Sequence, residues 1–235
     1  MPGLPDVVAL AEPRSAAAEA YRTLRTNIQF SSLEKPVRLL LLTSAGPDEG
    51  KSTTVANLAV VMAQADLKVV VVDCDLRRPS LHELFRLPNT KGLTSLFLGR
   101  ASGLEAATEI EPPLQATSVP GLSVITSGPL PPNPAELLGS PRMDSVLAAL
   151  LQRADVVLLD SPPVVAVTDA AVLSAKVDGV LLVVGAGIVK RDLARKARSL
   201  LEAVHANVLG MVVNNVPPDS DSFVPYGAAQ PAERV

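Results

Sequence analysis

The sequence predicts an α/β protein built on a mostly parallel sheet with helices on both faces, and three observations carry that prediction. Runs of Val, Leu and Ile recur at 37–43, 68–72, Leu122–Ile125, Val156–Asp160, 179–184 and Val208–Asn214. They are continuous rather than alternating, the pattern of strands covered on both faces, and the stretches between them have helical periodicity. A chain of 235 residues that is 48% hydrophobic is enough to bury one good core, so a single domain over 1–235 is expected, with right-handed crossovers.

In chain order, Ala16 to Phe30 reads as a helix on which Glu19, Arg22 and Arg25 step by three and share one side. The first apolar run, Leu39-Leu40-Leu41-Leu42-Thr43, enters the loop Ser44-Ala45-Gly46-Pro47-Asp48-Glu49-Gly50-Lys51-Ser52-Thr53, and a helical stretch from Thr54 to Ala65 follows at once. That order suits phosphate binding. A buried strand fixes where the loop starts, glycine lets the backbone approach phosphate oxygens, and the next helix points its free N–H groups at them. The reading is of a P-loop NTPase fold in which Lys51 reaches the β and γ phosphates of ATP and Ser52 holds Mg²⁺. Gly46, Asp48, Glu49, Gly50 and Thr53 complete the nucleotide cradle. The usual pattern has glycine where this chain has Ala45, and Asp48 brings a negative charge toward phosphate, although aspartate enters the left-handed turn region more readily than most residues.

The second apolar run ends Val72-Asp73-Cys74-Asp75-Leu76-Arg77-Arg78-Pro79, at the strand edge where open α/β sheets bind ligands. Two acids so close repel unless a cation lies between them, and Mg²⁺ on a nucleotide supplies one; a salt bridge from Asp73 or Asp75 to Arg77 is the plainer alternative. From 86 to 141 the chain is rich in Pro, Gly and Thr, and irregular connections are expected there, with short helical pieces at 94–98 and 135–138. Another apolar run closes on an acid at Asp160, followed by Ser161-Pro162-Pro163, a Walker B arrangement in which the aspartate serves the Mg²⁺ shell. Asn214, ending the last run, reads as a turn residue before Pro217. The tail after Pro217 reads as mobile.

Composition narrows the function classes. With 21 Lys and Arg against 24 Asp and Glu, the chain lacks the overall positive field of nucleic-acid binders, and no nucleic-acid partner is expected. One cysteine, Cys74, excludes an internal disulfide, and with His82 and His205 makes no usual structural zinc set, which suits a reducing, cytoplasmic setting. The stretch from Val180 to Val189 is too short to span a bilayer, so contact with the membrane is expected only through a partner.

Taken together, these residues resemble the bacterial tyrosine kinases of capsular and exopolysaccharide synthesis, the soluble ATPase that works with a membrane polysaccharide co-polymerase. The most specific piece is Asp73-Cys74-Asp75-Leu76-Arg77-Arg78-Pro79 with His82 beyond, similar to the family's Walker A′ motif. Gly92-Leu93-Thr94, Ser127 to Leu138, Asp160 to Val164 and Thr168-Asp169-Ala170 support it. The resemblance implies ATP and Mg²⁺ as cofactors, with Lys51, Asp73, Asp75 and Asp160 as catalytic residues. Ser52, Asp73 and Asp160 would serve the metal, and Arg77 and Asn214 would join the nucleotide contacts.

It also implies a transmembrane co-polymerase as activating partner, a homo-oligomeric ring joined through Glu19, Arg22 and Arg25, and a place at the inner face of the plasma membrane. The phosphoacceptor would be Tyr226, although kinases of this kind carry a tail cluster of tyrosines and this whole chain has two. Two other readings stand beside it. One is a non-catalytic ATP-binding assembly module, which the sparse tyrosines favour and the intact acids oppose. The other is a cell-division or partition ATPase, whose signature lysine would fall where this chain has Gly46. The basic stretch Lys190 to Arg198 reads as a solvated helix face.

Overall fold

A computed structural model describes residues 7–31, 35–97 and 110–216. Its elements are α1 (Val8–Ala11), α2 (Ala16–Phe30), β1 (Leu39–Ser44), α3 (Lys51–Ala63), β2 (Val69–Asp73), α4 (Leu81–Leu84), a 3₁₀ turn (Leu93–Leu96), β3 (Gln115–Ala116), β4 (Leu122–Ile125), α5 (Pro134–Gly139), α6 (Pro141–Leu151), β5 (Val156–Asp160), α7 (Asp169–Ser174), β6 (Gly179–Gly185), α8 (Arg191–Ala203) and β7 (Val208–Asn214). The strands form one sheet in the order β3-β4-β2-β5-β1-β6-β7, parallel throughout except for β3 against β4.

The expected continuous burial of the strands is found: every residue of β1, β2 and β5 is buried. One face packs Leu40, Leu42, Val71 and Leu158 under α1, α2 and α3, and the other packs Leu41, Val72, Leu159 and Leu182 under α6, α7 and α8. Helix α3 is buried on nearly its whole circumference, from Thr54 to Ala63, because the sheet lies on one side and α2 on the other. That is why its sequence is apolar all round and carries little amphipathic signal.

Differences from the sequence expectation are local. Strand β1 starts at Leu39 rather than Val37 because the N–H groups of Arg38 and Leu39 donate to the Asp178 carboxylate (3.1 and 2.9 Å), which ends the ladder there. Helix α3 starts at Lys51 rather than Thr54 because Gly50, left-handed at φ 78°, turns the chain directly into it. Strand β3 has two residues and no apolar run to announce it. The piece expected over 94–98 is the 3₁₀ turn, and residue 98 lies outside the described residues.

Candidate nucleotide and phosphoryl-transfer site

The loop between β1 and α3 is held from several sides before any ligand is considered. Ala45 is buried in the core beneath the sheet, so the place where the usual pattern has glycine is a packing position here. Asp48 takes the left-handed conformation at φ 59°, as its residue type allows. Gly50 is constrained twice: its φ is positive, and a Cβ built there would lie 1.9 Å from Asn214 Nδ2. Asn214 braces the loop by donating that amide to the Glu49 carbonyl (3.1 Å). Its side chain therefore supports the loop backbone from β7.

Glu49 also differs in role from the expected cradle. Its carboxylate is buried and accepts the N–H groups of Gly46 and of Gly185, the latter at 3.0 Å, stitching the loop to the end of β6. The Glu49 carboxylate is thus turned into the protein. Buried acceptors that find two amides are satisfied, and losing one partner would cost about 1–3 kcal/mol.

The acids are brought together by strand register. Strands β2 and β5 pair in parallel with Asp73 opposite Asp160, so both carboxylates emerge at the same end of the sheet as the loop. The cation between the acids is Lys51: its Nζ lies 2.5 Å from Asp160 Oδ1 and 3.8 Å from Asp75 Oδ2, and donates to Ser52 Oγ at 3.1 Å. Lys51 thus supplies a cation beside Asp75, one of the two acids for which the sequence reading calls for one. Among the described residues, no group of three or more His, Cys, Asp or Glu is arranged to hold a metal ion alone. Burial pushes the Lys51 ammonium down, but Asp160, Asp75 and Asp73 push it up further, and the net direction is up.

Asp73 stands apart from its neighbours. It is fully buried, with Oδ1 accepting the Asp75 amide (3.2 Å) and Oδ2 accepting those of Ser80 (3.1 Å) and Leu81 (3.0 Å). Burial and the nearby Asp160 charge raise its pKa to about 8, against the opposing pull of the Leu81 amide and Lys51. Its oxygens are committed to the backbone of the following loop. Both Asp73 oxygens thus accept backbone amides, whereas Asp160 Oδ2 is buried without a hydrogen-bond partner. That orphaned acceptor, with the Ser52 hydroxyl beside it, fits Mg²⁺ held jointly with phosphate oxygens, because this ion usually takes only one or two protein ligands.

The cleft in front of these groups has a volume of 480 Å³. One wall is the loop from Gly46 to Thr53, and the other is Asp75, Arg78, Ser80, Glu83 and Leu84. Arg77, expected among the nucleotide contacts, turns away instead: Nε and Nη2 donate to the two oxygens of buried Asp169 (2.9 and 3.0 Å). The plainer alternative, an Arg77 pair with Asp73 or Asp75, is also not formed; Asp75 Oδ1 accepts only the backbone N–H groups of Arg77 and Arg78. Arg78, Ser80, Glu83 and Leu84 were not picked out by sequence reasoning. The doubled arginine was the available signal, but nothing in it says which of the two faces the cleft.

On α2, Glu19 pairs with Arg22, Arg22 Nη2 also donates to the Pro13 carbonyl (2.7 Å), and Arg25 Nη1 donates to the Val61 carbonyl of α3 (2.7 Å). All three are therefore engaged within the protomer. Tyr226 lies outside the described residues.

A strand-loop-helix phosphate cradle facing acids from two neighbouring parallel strands defines a P-loop NTPase. Residues 38–218 match the ParA family model, described as NUBPL iron-transfer P-loop NTPase. Within that class, the chain belongs to the family of bacterial tyrosine-protein kinases. It is 44% identical over 209 residues to the tyrosine-protein kinase YwqD of Bacillus subtilis, covering 89% of this chain and 85% of that protein. It is 37% identical over 215 residues to the putative tyrosine-protein kinase CapB of Staphylococcus aureus, covering 92% and 91%. The solved kinase domain of the Escherichia coli tyrosine kinase ETK superposes with a TM-score of 0.82 at 35% identity, covering 94% of this chain and 84% of that one.

Proposed function

We propose that this protein transfers the γ-phosphoryl group of ATP to tyrosine hydroxyls, its own tail included, in the control of capsular or exopolysaccharide synthesis. The observation that carries the reading is the placement of Lys51 Nζ between Asp160 and Asp75 at the head of the phosphate loop. Ordinary phosphate loops need the lysine and one acid. A second cleft-facing acid on the neighbouring strand end supplies what proton transfer from an acceptor hydroxyl requires.

The residues divide the work as follows. Backbone N–H groups of the loop and the start of α3 receive the phosphates, with Lys51 exchanging its carboxylate partners for phosphate oxygens. Ser52 and Asp160 would hold Mg²⁺, which when bound compensates the charge of the β and γ phosphates. Asp75, which lines the cleft and whose Oδ1 is fixed by two backbone amides, accepts the proton of the attacking hydroxyl. Asp73, enclosed and bonded to the amides of Ser80 and Leu81, positions the loop that carries Asp75. The separation of roles between the two aspartates thus rests on which of them lines the cleft.

Tyr226 is the proposed acceptor in the tail. A ring of copies joined through α2, in which Glu19, Arg22 and Arg25 exchange internal partners for a neighbour's, and activation by a transmembrane co-polymerase at the inner membrane face complete the reading. No helix among the described residues is long and apolar enough to cross a membrane.

Incubation of purified protein with Mg²⁺ and ATP, followed by phosphopeptide mass spectrometry, tests the proposal. Phosphotyrosine should appear, vanish in Lys51→Met and fall by most of its amount in Tyr226→Phe. Nucleotide binding with no phosphotyrosine, even with the activating segment of a membrane partner present, would favour the non-catalytic assembly module.

A further inference from the structure

The cleft contains one cation that the proposed division of labour leaves unused. Charged side chains lining it are Asp48, Glu49, Asp75 and Glu83 on the negative side and Lys51 and Arg78 on the positive. Glu49 is spent on the Gly46 and Gly185 amides, and Lys51 on Asp160 and Asp75. Arg77 is locked to Asp169. Of these cations Arg78 alone makes, among the described residues, no ion pair or side-chain hydrogen bond, and it is exposed.

Its position is nevertheless fixed. The Arg78 backbone N–H donates to Asp75 Oδ1 at 2.9 Å, so the Asp75 carboxylate and the arginine are one hydrogen-bonded unit. The Arg77–Asp169 pair clamps the same turn to α7 from behind. Arg78 thereby lines the same cleft as the phosphate loop and Asp75. Resting on the kinase reading of this site, we propose that Arg78 is a further catalytic residue: its guanidinium binds the equatorial oxygens of the phosphoryl group in transfer.

The chemistry explains why a second cation is needed. As the acceptor Oη–P bond forms, the bond from the γ phosphorus to its bridging oxygen breaks, the electron pair leaves with ADP, and the hydroxyl proton passes to Asp75. Charge spreads over three phosphoryl oxygens at that moment, and Lys51 approaches only from the loop side. A planar, permanently charged donor fork on Arg78 covers the remaining oxygens, a geometry lysine reproduces poorly. Arg78 itself neither gains nor loses a proton.

The test uses the full chain with Arg78→Ala and Arg78→Lys, and Arg195→Ala as a surface-charge control. Affinity for ADP should stay within about threefold of wild type in all variants, because the terminal phosphoryl group is missing. Affinity for ADP with aluminium fluoride, a mimic of the group in flight, should fall by about 100-fold in Arg78→Ala and less in Arg78→Lys, with kcat falling in parallel and KM for ATP little changed. Wild-type binding of the mimic by Arg78→Ala, in a preparation whose wild type phosphorylates tyrosine, would overturn the role of Arg78 and leave the kinase reading intact. A loss confined to KM for a tyrosine peptide would overturn it too, assigning Arg78 to acceptor binding. A wild type that neither binds the mimic nor forms phosphotyrosine would remove the kinase reading itself.

Discussion

The two ends of the sheet use the same residue types to opposite effect. At the N-terminal ends of the strands, Asp178 accepts the N–H groups of Arg38 and Leu39 and pairs with Lys35, Asp155 accepts the Lys68 N–H, and Arg38 donates to the carbonyls of Leu151, Ala154 and Asp155. Each charge there has solvent or a complete set of partners. At the C-terminal ends, Asp73, Asp75, Asp160 and Lys51 are all buried, Asp75 and Asp160 share one ammonium, and one Asp160 oxygen has no partner. The first end contributes stability. The second holds desolvated charge at a cost, which a ligand carrying phosphate and a cation relieves.

The largest expected effect breaks the cluster at its centre. Lys51→Met should lower phosphotransfer by about 100-fold or more, read as phosphotyrosine formed per minute, since it removes a cation aimed at the transferring group. It also leaves Asp75 and Asp160 without their counter-ion, so its unfolding midpoint should fall more steeply than that of wild type as pH rises.

Asp73→Asn sharpens the contrast with the opposite sign. In the folded protein Asp73 titrates at about 8, against an ordinary 3.8, so between those values the folded state holds a proton that the unfolded chain has released. Stability from this group therefore declines as pH rises from about 4 to about 8 and is flat above. The substitution should remove that decline, measured by urea unfolding from about pH 4 to about pH 9, while its NH2 group, set against a backbone N–H that Asp73 accepted, costs about 1–3 kcal/mol at every pH. Unchanged pH dependence would show that Asp73 is ionised throughout.

Asp178→Asn tests the other end and should cost about 1–2 kcal/mol at neutral pH. Burial alone would raise the Asp178 pKa, but Lys35 and the amides of Leu39 and Arg38 hold it below the ordinary carboxylate value. Its stabilisation is thus fully present above about pH 4 and is lost as pH falls through the depressed value, so the variant and wild type should converge in acid. The smallest effect belongs to the exposed Arg198–Glu202 pair on α8, where Arg198→Ala should change stability by less than about 0.5 kcal/mol and lose even that at high salt.

Much of the fold was legible because the signals are local. Continuous apolar runs located β4, β5 and β7 to the residue, and the stretch Ala16 to Phe30 reads as the helix found as α2; the Ser15 hydroxyl accepts the Ala18 N–H at its start. The two-residue β3 was not, since its pairing depends on β4 being in place and its own residues carry no periodic signal. Lys51, Asp75 and Asp160 were found from motif spacing, and the structure assembles them at one edge. Arg77 and Arg78 could not be told apart in that way: adjacent residues in a turn point in different directions, and which one meets Asp169 depends on where α7 packs.

What the sequence determined by itself was the order of strand, loop and helix, the residue types at each strand end, and the glycine at position 50 that lets the loop turn into α3. Tertiary structure alone decided how those residues are spent. Parallel register set Asp73 beside Asp160, burial turned Glu49 and Asp73 inward onto backbone amides, and packing of α7 and β7 placed Asp169 and Asn214 behind the site. The physical reason is that motif chemistry is carried by neighbours along the chain, whereas desolvation and hydrogen-bond satisfaction depend on neighbours in space.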